Sequence, residues 1–162
     1  MTRTHTLIPS PIGTLTVIRD DDALVGLYME LRRRPLDGEL TGPRDDTGFD
    51  DVRRQLGEYF AGERTTFELD LRPAGNDFQR AVWELLTRIP YGETRCYGDL
   101  ARALGDRSLA QAVGAANGRN PLSIVVPCHR VIGAVGTLVG YAGGLDRKRY
   151  LLDLEQRGDR LF

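Results

Sequence analysis

Apolar and polar residues alternate along much of the first half of the chain, as they do in half-buried β-strands. Segments 15–18 and 23–29 have this pattern and flank three consecutive aspartates, which predicts a β-hairpin. Segment 66–71 alternates cleanly and predicts a further strand with one buried face. Helical spacing over 49–61 predicts a short helix, and the Gly, Pro and Asp residues of 35–48 predict a mobile loop.

After a Pro-Ala-Gly boundary, the apolar residues recur at the spacing of amphipathic helices. A stripe over 78–89 predicts a helix that begins at a cap formed by Asn76 or Asp77. Two shorter helices are predicted over about 97–104 and from Ser108 to about Asn117, with a short glycine turn between them. This order is typical of a helix-turn-helix, and it fits a generic corner between two helices equally well.

The last part of the chain combines an extended segment, a glycine-rich loop and a final helix. Segment 122–126 is expected to run extended into a cysteine motif, and 133–144 is expected to form a flexible loop. Asp146 is expected to cap the last helix. These elements predict an α+β chain with an amino-terminal lobe at 1–72 and a carboxy-terminal lobe at 76–162.

Composition restricts the function only loosely. The 162 residues are 41% apolar and 28% charged, which is typical of one soluble domain or of two small lobes that share a core. Two cysteines are too few for a disulfide framework, which indicates a reducing compartment. Because no apolar run is long enough to cross a bilayer or resembles a signal peptide, we expect a protein of the cytoplasm or the nucleoid without a membrane partner.

The charge is divided unevenly between the two halves. Residues 1–72 contain 10 Arg against 14 Asp and Glu, and residues 73–162 contain 12 Lys and Arg against 9 Asp and Glu. A basic second half suits a polyanionic partner, but an excess of this size suits an ordinary solvated surface equally well.

The run Pro127-Cys128-His129-Arg130 is the segment with the strongest chemical signal. A thiol attacks as its thiolate, and a neighbouring imidazole or positive charge favours ionisation. His129 and Arg130 supply both. The alternative is a small buried cysteine that ends a core strand, and such a cysteine needs neither neighbour.

Neighbouring side chains on a regular strand point to opposite faces, so Cys128 and His129 can act together only under one of two conditions. Either the chain turns after Pro127, or a water molecule bridges the imidazole and the thiol. Glu155, on the final helix, is the candidate that orients the imidazole through its other nitrogen. A cysteine hydrolase fits poorly because this cysteine follows a strand and a proline, and the cysteines and histidines lack the spacing of a metal site.

A series of short motifs accompanies this run in fixed order between residues 76 and 158. They are Asp77-Phe78-Gln79, Val82-Trp83, Ile89-Pro90-Tyr91-Gly92-Glu93-Thr94, Tyr97-Gly98-Asp99-Leu100-Ala101, Ala112-Val113-Gly114, Asn120-Pro121, the run 124–131, Gly140-Tyr141 and Gly143-Gly144. The opening Ser10-Pro11-Ile12-Gly13 belongs to the same pattern. In these motifs the chain resembles the O6-alkylguanine-DNA alkyltransferases, a family of suicide repair proteins.

The resemblance implies an α+β fold in which a ribonuclease H-like α/β lobe precedes a helical, winged helix-turn-helix-like lobe. It also implies direct repair of double-stranded DNA. A helix enters the minor groove, the O6-alkylguanine flips out, and its alkyl group passes irreversibly to Cys128. No cofactor or metal is expected, because a thiolate needs only alignment behind the carbon–oxygen bond and help for the leaving base. The resemblance suggests a monomer, with cooperative binding along DNA left open.

The resemblance also assigns roles to individual residues. The catalytic set is Cys128 as nucleophile, His129 as its base through water, Glu155 as the group that orients the imidazole, Asn120 as the brace of the turn, and Tyr97 as hydroxyl donor to the base. Substrate or DNA contacts are expected from Gln79, Gly98, Asp106, Gln111, Ala112, Gly114, Arg130, Val131, Ala134, Tyr141 and Gly143.

The chain departs from the family pattern at Gln111, where the resemblance implies an arginine that fills the space of the flipped base. Glutamine is shorter and neutral, which predicts weaker duplex binding or flipping, although Arg107 or Arg119 can replace the charge. Gln111 also completes a predicted capping box with Ser108. Cys96 stands where a serine is usual, and we interpret it as a neutral cap variant.

Two other functions remain compatible with the sequence. One is a module that binds alkylguanine without repairing it, although the presence of Cys128 disfavours it. The other is an alkyl acceptor for a substrate other than DNA, which the substitution at Gln111 makes conceivable. The small residues of segment 110–116 would allow close approach to a minor groove, or simply tight helix packing.

Overall fold

The computed structural model describes residues 2–30, 38–133 and 144–160, with side chains as far as residue 156 in the last helix. Strands β1 (Arg3–Ile8), β2 (Leu15–Asp20) and β3 (Ala23–Met29) form an antiparallel sheet in the order β1-β2-β3. The hairpin predicted from the aspartate turn is therefore confirmed. Asp21 occupies that turn with a φ of +51°, a conformation that aspartate tolerates better than most residues.

Helices α1 (Gly38–Thr41) and α2 (Asp50–Phe60) follow the sheet. The helix expected near 49–61 is confirmed, and it buries Val52, Leu56 and Tyr59 on one side. The loop expected over 35–48 is wrong for α1, since its described part contains this one-turn helix.

The strand expected at 66–71 is not formed. The segment is extended and alternates as its sequence predicts, with Phe67, Leu69 and Leu71 half-buried. However, its backbone pairs with β3 only around Leu24, through bonds of 2.9 Å from Leu24 to Asp70 and 2.8 Å from Arg72 to Leu24. The Gln55 side chain of α2 takes up both backbone groups of Glu68, at 2.8 and 3.1 Å, so a side chain replaces the neighbouring strand.

The second half is mainly helical. It contains α3 (Asp77–Thr87), β4 (Arg95–Cys96), α4 (Tyr97–Ala103), α5 (Ala110–Gly118), β5 (Val131–Ile132) and α6 (Leu145–Arg160). Asn76 caps α3 in a capping box with Gln79. The Trp83 indole donates to the Ala116 carbonyl at 2.8 Å and so fastens α3 to α5. Asp146 is not a cap, because α6 begins at Leu145, but its charge suits the first turn of the helix.

The two halves are joined by backbone bonds as well as by apolar packing. Leu27 of β3 donates to the Pro121 carbonyl at 2.8 Å, and Ser123 donates to the Leu27 carbonyl at 3.1 Å. Arg147 of α6 donates to the Ile12 carbonyl at 3.0 Å. The loop before the cysteine motif and the helix that carries Glu155 are therefore both anchored on the first half. Among the described residues, no helix is long and apolar enough to cross a membrane.

Candidate active site

The cysteine motif lies at the end of a tightly braced loop. The expectation that 122–126 runs extended is wrong, because the segment turns on itself and Ile124 has a φ of +73°. Asn120 holds the turn closed, since its amide donates to the Val126 carbonyl at 2.8 Å and its oxygen accepts from the Leu122 amide at 3.0 Å. A positive φ is costly for a β-branched residue, so these bonds and the surrounding packing must hold the loop in place.

Cys128 begins a 3₁₀ turn, Cys128–Arg130, and is 5% exposed. Of the two conditions for joint action with His129, the structure therefore shows the first: the chain turns directly after Pro127. The sulfur lies below the surface, so a substrate has to be brought to it.

His129 and Glu155 form a buried pair. The imidazole is fully buried, and its Nε2 lies 2.6 Å from Oε2 of Glu155. Its Nδ1 is also buried and has no hydrogen-bond partner among the described residues. Nδ1 is thus the ring nitrogen left to accept a proton, while Glu155 fixes the orientation of the ring.

The charges of this pair suit a neutral base beside a permanent anion. Burial lowers the pKa of His129, and the neighbouring Glu155 opposes that change only in part. Burial alone would raise the pKa of Glu155, but the hydrogen bonds and charges of His129 and Arg130 lower it to about 2. Glu155 is therefore ionised at neutral pH, ready to stabilise an imidazolium.

Arg130 is turned inward, which leaves little of its side chain for the substrate or DNA contact expected of it. Arg130 is 6% exposed, and its guanidinium donates to Glu155 from Nε at 2.7 Å and from Nη2 at 3.1 Å. Its Nη1 donates to the Ile89 carbonyl at 2.6 Å. Its positive charge compensates the negative charge of the Glu155 carboxylate. Burying either charge without the other would cost several kcal/mol of stability.

Tyr97 reaches the site through a short parallel strand pair. The register pairs Arg95 with Val131 and Cys96 with Ile132, so β4, which ends directly before Tyr97, lies beside the strand that directly follows the Cys128–Arg130 turn. Burial, and to a lesser degree the charge of a Cys128 thiolate, raise the pKa of Tyr97. Tyr97 therefore keeps its proton and can donate it in a hydrogen bond.

Sequence reasoning missed two buried groups at this site. Lys148 of α6 is fully buried, and its Nζ donates to the Val131 carbonyl at 2.5 Å. Burial lowers the pKa of Lys148, and the charge of a Cys128 thiolate opposes that change. The second group is Tyr59 of α2, whose hydroxyl donates to Glu155 Oε2 at 2.5 Å. A lysine within the apolar stripe of α6 was a usable signal, whereas Tyr59 looked like any other core residue of its helix.

Four of the residues predicted to contact DNA lie on α4 and α5. Gln111 and Ala112 are exposed on α5, and Gly114 of the same helix is half-buried. Gly98 and Gly114 would leave a new Cβ only ordinary contacts, at 3.8 Å from Cys96 Sγ and 3.7 Å from the Tyr97 ring. Packing inside the protein therefore does not require glycine at either position.

The capping bonds at this surface differ from the expectation. The predicted box of Ser108 with Gln111 is wrong, because Asp106 caps the 3₁₀ turn by accepting from the Ser108 amide at 2.9 Å. Gln111 makes no side-chain bond within the described part of the chain, so it remains available to a ligand. Gln79 is committed to the α3 capping box, where its oxygen accepts from the Asn76 amide at 3.0 Å, so only its amide nitrogen remains for DNA.

Three expected contacts, Ala134, Tyr141 and Gly143, lie outside the described residues. Val131 is fully buried, and its carbonyl accepts from Lys148, so only a backbone role near the substrate remains for it. Within the described ranges, no group of His, Cys, Asp and Glu side chains is arranged to hold a metal ion.

Comparison with known proteins agrees with this geometry. Residues 77–157 match the family model of the 6-O-methylguanine DNA methyltransferase DNA-binding domain, and residues 4–73 match that of the ribonuclease-like domain. The methylated-DNA–protein-cysteine methyltransferase of Mycolicibacterium paratuberculosis is 51% identical over 93% of this chain and 90% of its own. That of Methanosarcina acetivorans is 44% identical over 93% and 97%.

Solved structures give the same result. The O6-methylguanine methyltransferase of Mycobacterium tuberculosis superposes with a TM-score of 0.89 at 47% identity, covering 96% of this chain and 94% of that one. The Mycobacterium tuberculosis OGT in complex with DNA superposes with a TM-score of 0.88 at 46% identity, covering 97% and 94%. The α+β fold inferred from the sequence is thereby confirmed, and the chain belongs to the 6-O-methylguanine DNA methyltransferase family.

Proposed function

We propose that this protein repairs O6-alkylguanine in double-stranded DNA by moving the alkyl group irreversibly to Sγ of Cys128. The observation that carries the proposal is the turn that places Cys128 directly before a fully buried imidazole held by an ionised Glu155. The names of the relatives supply the substrate class, since they are methyltransferases that act on methylated DNA.

In the proposed reaction the thiol proton passes through water to Nδ1 of His129, and Glu155 stabilises the resulting imidazolium. The sulfur then attacks the alkyl carbon. The S–C bond forms as the C–O6 bond breaks, and the electron pair of that bond passes to O6 of the guanine. Tyr97 keeps its proton and donates a hydrogen bond to the leaving base, which stabilises the negative charge on the base until it takes up a proton from water. The product is a thioether, so each molecule reacts once.

The burial of Cys128 supports base extrusion. Cys128 is only 5% exposed, so its sulfur cannot reach a base that is stacked in a duplex and the lesion must come out. Flipping costs a few kcal/mol, and less for a poorly paired base. We place the helix α5 in the minor groove, where the exposed Gln111 is next to the gap left by the base. Action as a monomer in the cytoplasm belongs to the same proposal.

The experiment is transfer of a radiolabelled methyl group from a duplex oligonucleotide that contains O6-methylguanine. The wild-type protein should take up one label per molecule, and Cys96→Ser should do the same because serine is a good helix cap. Cys128→Ser should take up none. Binding of the duplex without label would indicate a damage sensor instead. Equal labelling of Cys128→Ser and the wild type would also overturn the proposal.

A further inference from the structure

The first half of the chain supplies a side chain to the catalytic pair. Tyr59 lies in the last turn of α2, is fully buried, and donates its hydroxyl to Oε2 of Glu155, which is 96 positions further along the chain. The phenol ring is fixed by other aromatic rings. The ring centroids of Phe60, Phe67 and Tyr91 lie 5.3, 5.4 and 6.2 Å from that of Tyr59. The hydroxyl is therefore held in place rather than free to turn to another acceptor.

The Tyr59 hydroxyl and the His129 imidazole use the same oxygen. Oε2 of Glu155 accepts from Tyr59 at 2.5 Å, from His129 Nε2 at 2.6 Å and from Arg130 Nη2 at 3.1 Å. Each donor draws on the negative charge of that oxygen, so a bond from one donor weakens the attraction available to the others. The electrostatic attraction between Glu155 and an imidazolium at His129 therefore depends partly on the Tyr59 hydroxyl, which belongs to the first half of the chain.

We propose that Tyr59 is a positioning residue for alkyl transfer, which fixes the Glu155 carboxylate and limits how basic that carboxylate makes His129. The inference rests on the proposed function only for its effect on the reaction rate. Its effect on His129 can be measured whether or not the protein transfers an alkyl group. The ribonuclease-like half is then part of the proton-transfer apparatus as well as a support for the helical half.

The titratable and charged groups that face His129 come from three elements. Glu155 and Lys148 approach from α6, Arg130 from the 3₁₀ turn of His129 itself, and Tyr59 from α2. Burial, together with the charge of Glu155, raises the pKa of Tyr59 well above its usual value. The phenol thus remains a hydrogen donor over the pH range in which His129 titrates.

The test compares Tyr59→Phe with Tyr150→Phe. Tyr150 contacts Phe60 in the same aromatic group, at 6.5 Å between ring centroids, but it does not bond Glu155. The chain has two histidines, so the ring resonances of His129 can be assigned by NMR with a His5→Asn variant as reference. Removing the Tyr59 hydroxyl leaves more charge for His129, so its pKa should rise by roughly half to one pH unit. The acidic limb of the transfer rate should move to higher pH by the same amount.

Tyr150→Phe should change neither quantity. Unaltered titration of His129 in Tyr59→Phe, or an equal change in both variants, overturns the proposal. If Tyr59→Phe does not fold, uniform 3-fluorotyrosine labelling provides the opposite perturbation, because the more acidic phenol is a stronger donor. The pKa of His129 should then fall below its wild-type value, and an unchanged value overturns the proposal. Failure of methyl transfer by the wild type would instead overturn the proposed function.

Discussion

Replacing Glu155 with glutamine should destabilise the protein strongly at neutral pH and much less in acid. Glu155→Gln keeps the size of the side chain and removes its charge. Arg130, a residue that is 6% exposed, then loses the carboxylate that lies 2.7 Å from its Nε. The variant therefore leaves a buried cation without its partner, which is one of the few single changes with a large effect on the free energy of unfolding.

Two independent lines of reasoning give the size of the effect. A pKa of about 2 in the folded protein, against 4.5 ordinarily, corresponds to about 3 kcal/mol of stability at pH 7. Loss of one partner of a buried ion pair costs about 3–5 kcal/mol in general. For a chain of this length, Tm should fall by roughly 6–20 °C.

The pH dependence separates charge from packing. Because folding lowers the pKa of Glu155, the contribution of the carboxylate is complete above pH 4.5 and is lost as the pH falls toward 2. In urea titrations, the difference in unfolding free energy between wild type and Glu155→Gln at pH 3 should be less than half that at pH 7. Glu84→Gln is the control, since its pair with Arg88 is about two-thirds exposed and should cost less than about 1 kcal/mol. A difference below about 1 kcal/mol at pH 7, or one equal at both pH values, would refute the reasoning.

Three further changes test other parts of the site. Asn120→Ala leaves the Val126 carbonyl and the Leu122 amide unpaired. The free energy of unfolding from urea titration should therefore fall by about 1–3 kcal/mol, and methyl transfer should slow. Unchanged values would mean that packing alone holds the loop. Lys148→Met removes a buried positive charge near the thiolate, so single-turnover transfer at pH 7 should slow about tenfold or more, and an unchanged rate would exclude this electrostatic role. The Val131 carbonyl also loses its donor, so urea titration should show a loss of about 1–3 kcal/mol. Gln111→Arg should speed repair of alkylated duplex, and a rate equal to that of the wild type would count against a role for this position in filling the gap.

The pattern of apolar and polar residues was sufficient to predict most of the helices and strands, and the cysteine motif was sufficient to locate the candidate site. The stripe over 78–89 gave α3 with its Asn76 cap, because an amphipathic helix with a capping residue is determined by residues close in sequence. The motif alone indicates Cys128 and His129, because a histidine beside a cysteine favours the thiolate, whereas Glu155 was a candidate whose role came from the family resemblance. The bond between His129 and Glu155 is the contact that this reasoning required.

Some of the errors are local, such as the turn at 122–126 and the capping box of Ser108, but others concern contacts between residues that are distant in sequence. Segment 66–71 has strand periodicity, but whether a strand forms depends on a partner, and here Gln55 replaces that partner. The contact expected of Arg130 came from the family resemblance, and only the fold shows that its guanidinium faces Glu155. The role of Tyr59 was hidden for the same reason, since its hydroxyl partner lies 96 residues away.

The most direct test of the central claim is to locate the alkyl group on the protein. Wild-type protein would be incubated with an excess of duplex containing O6-methylguanine, digested, and its peptides compared by mass spectrometry. The account predicts one added methyl group, on the peptide that contains Cys128, and an unmodified Cys96. A methyl group on Cys96 instead, or an unmodified Cys128 after complete binding of the duplex, would contradict it.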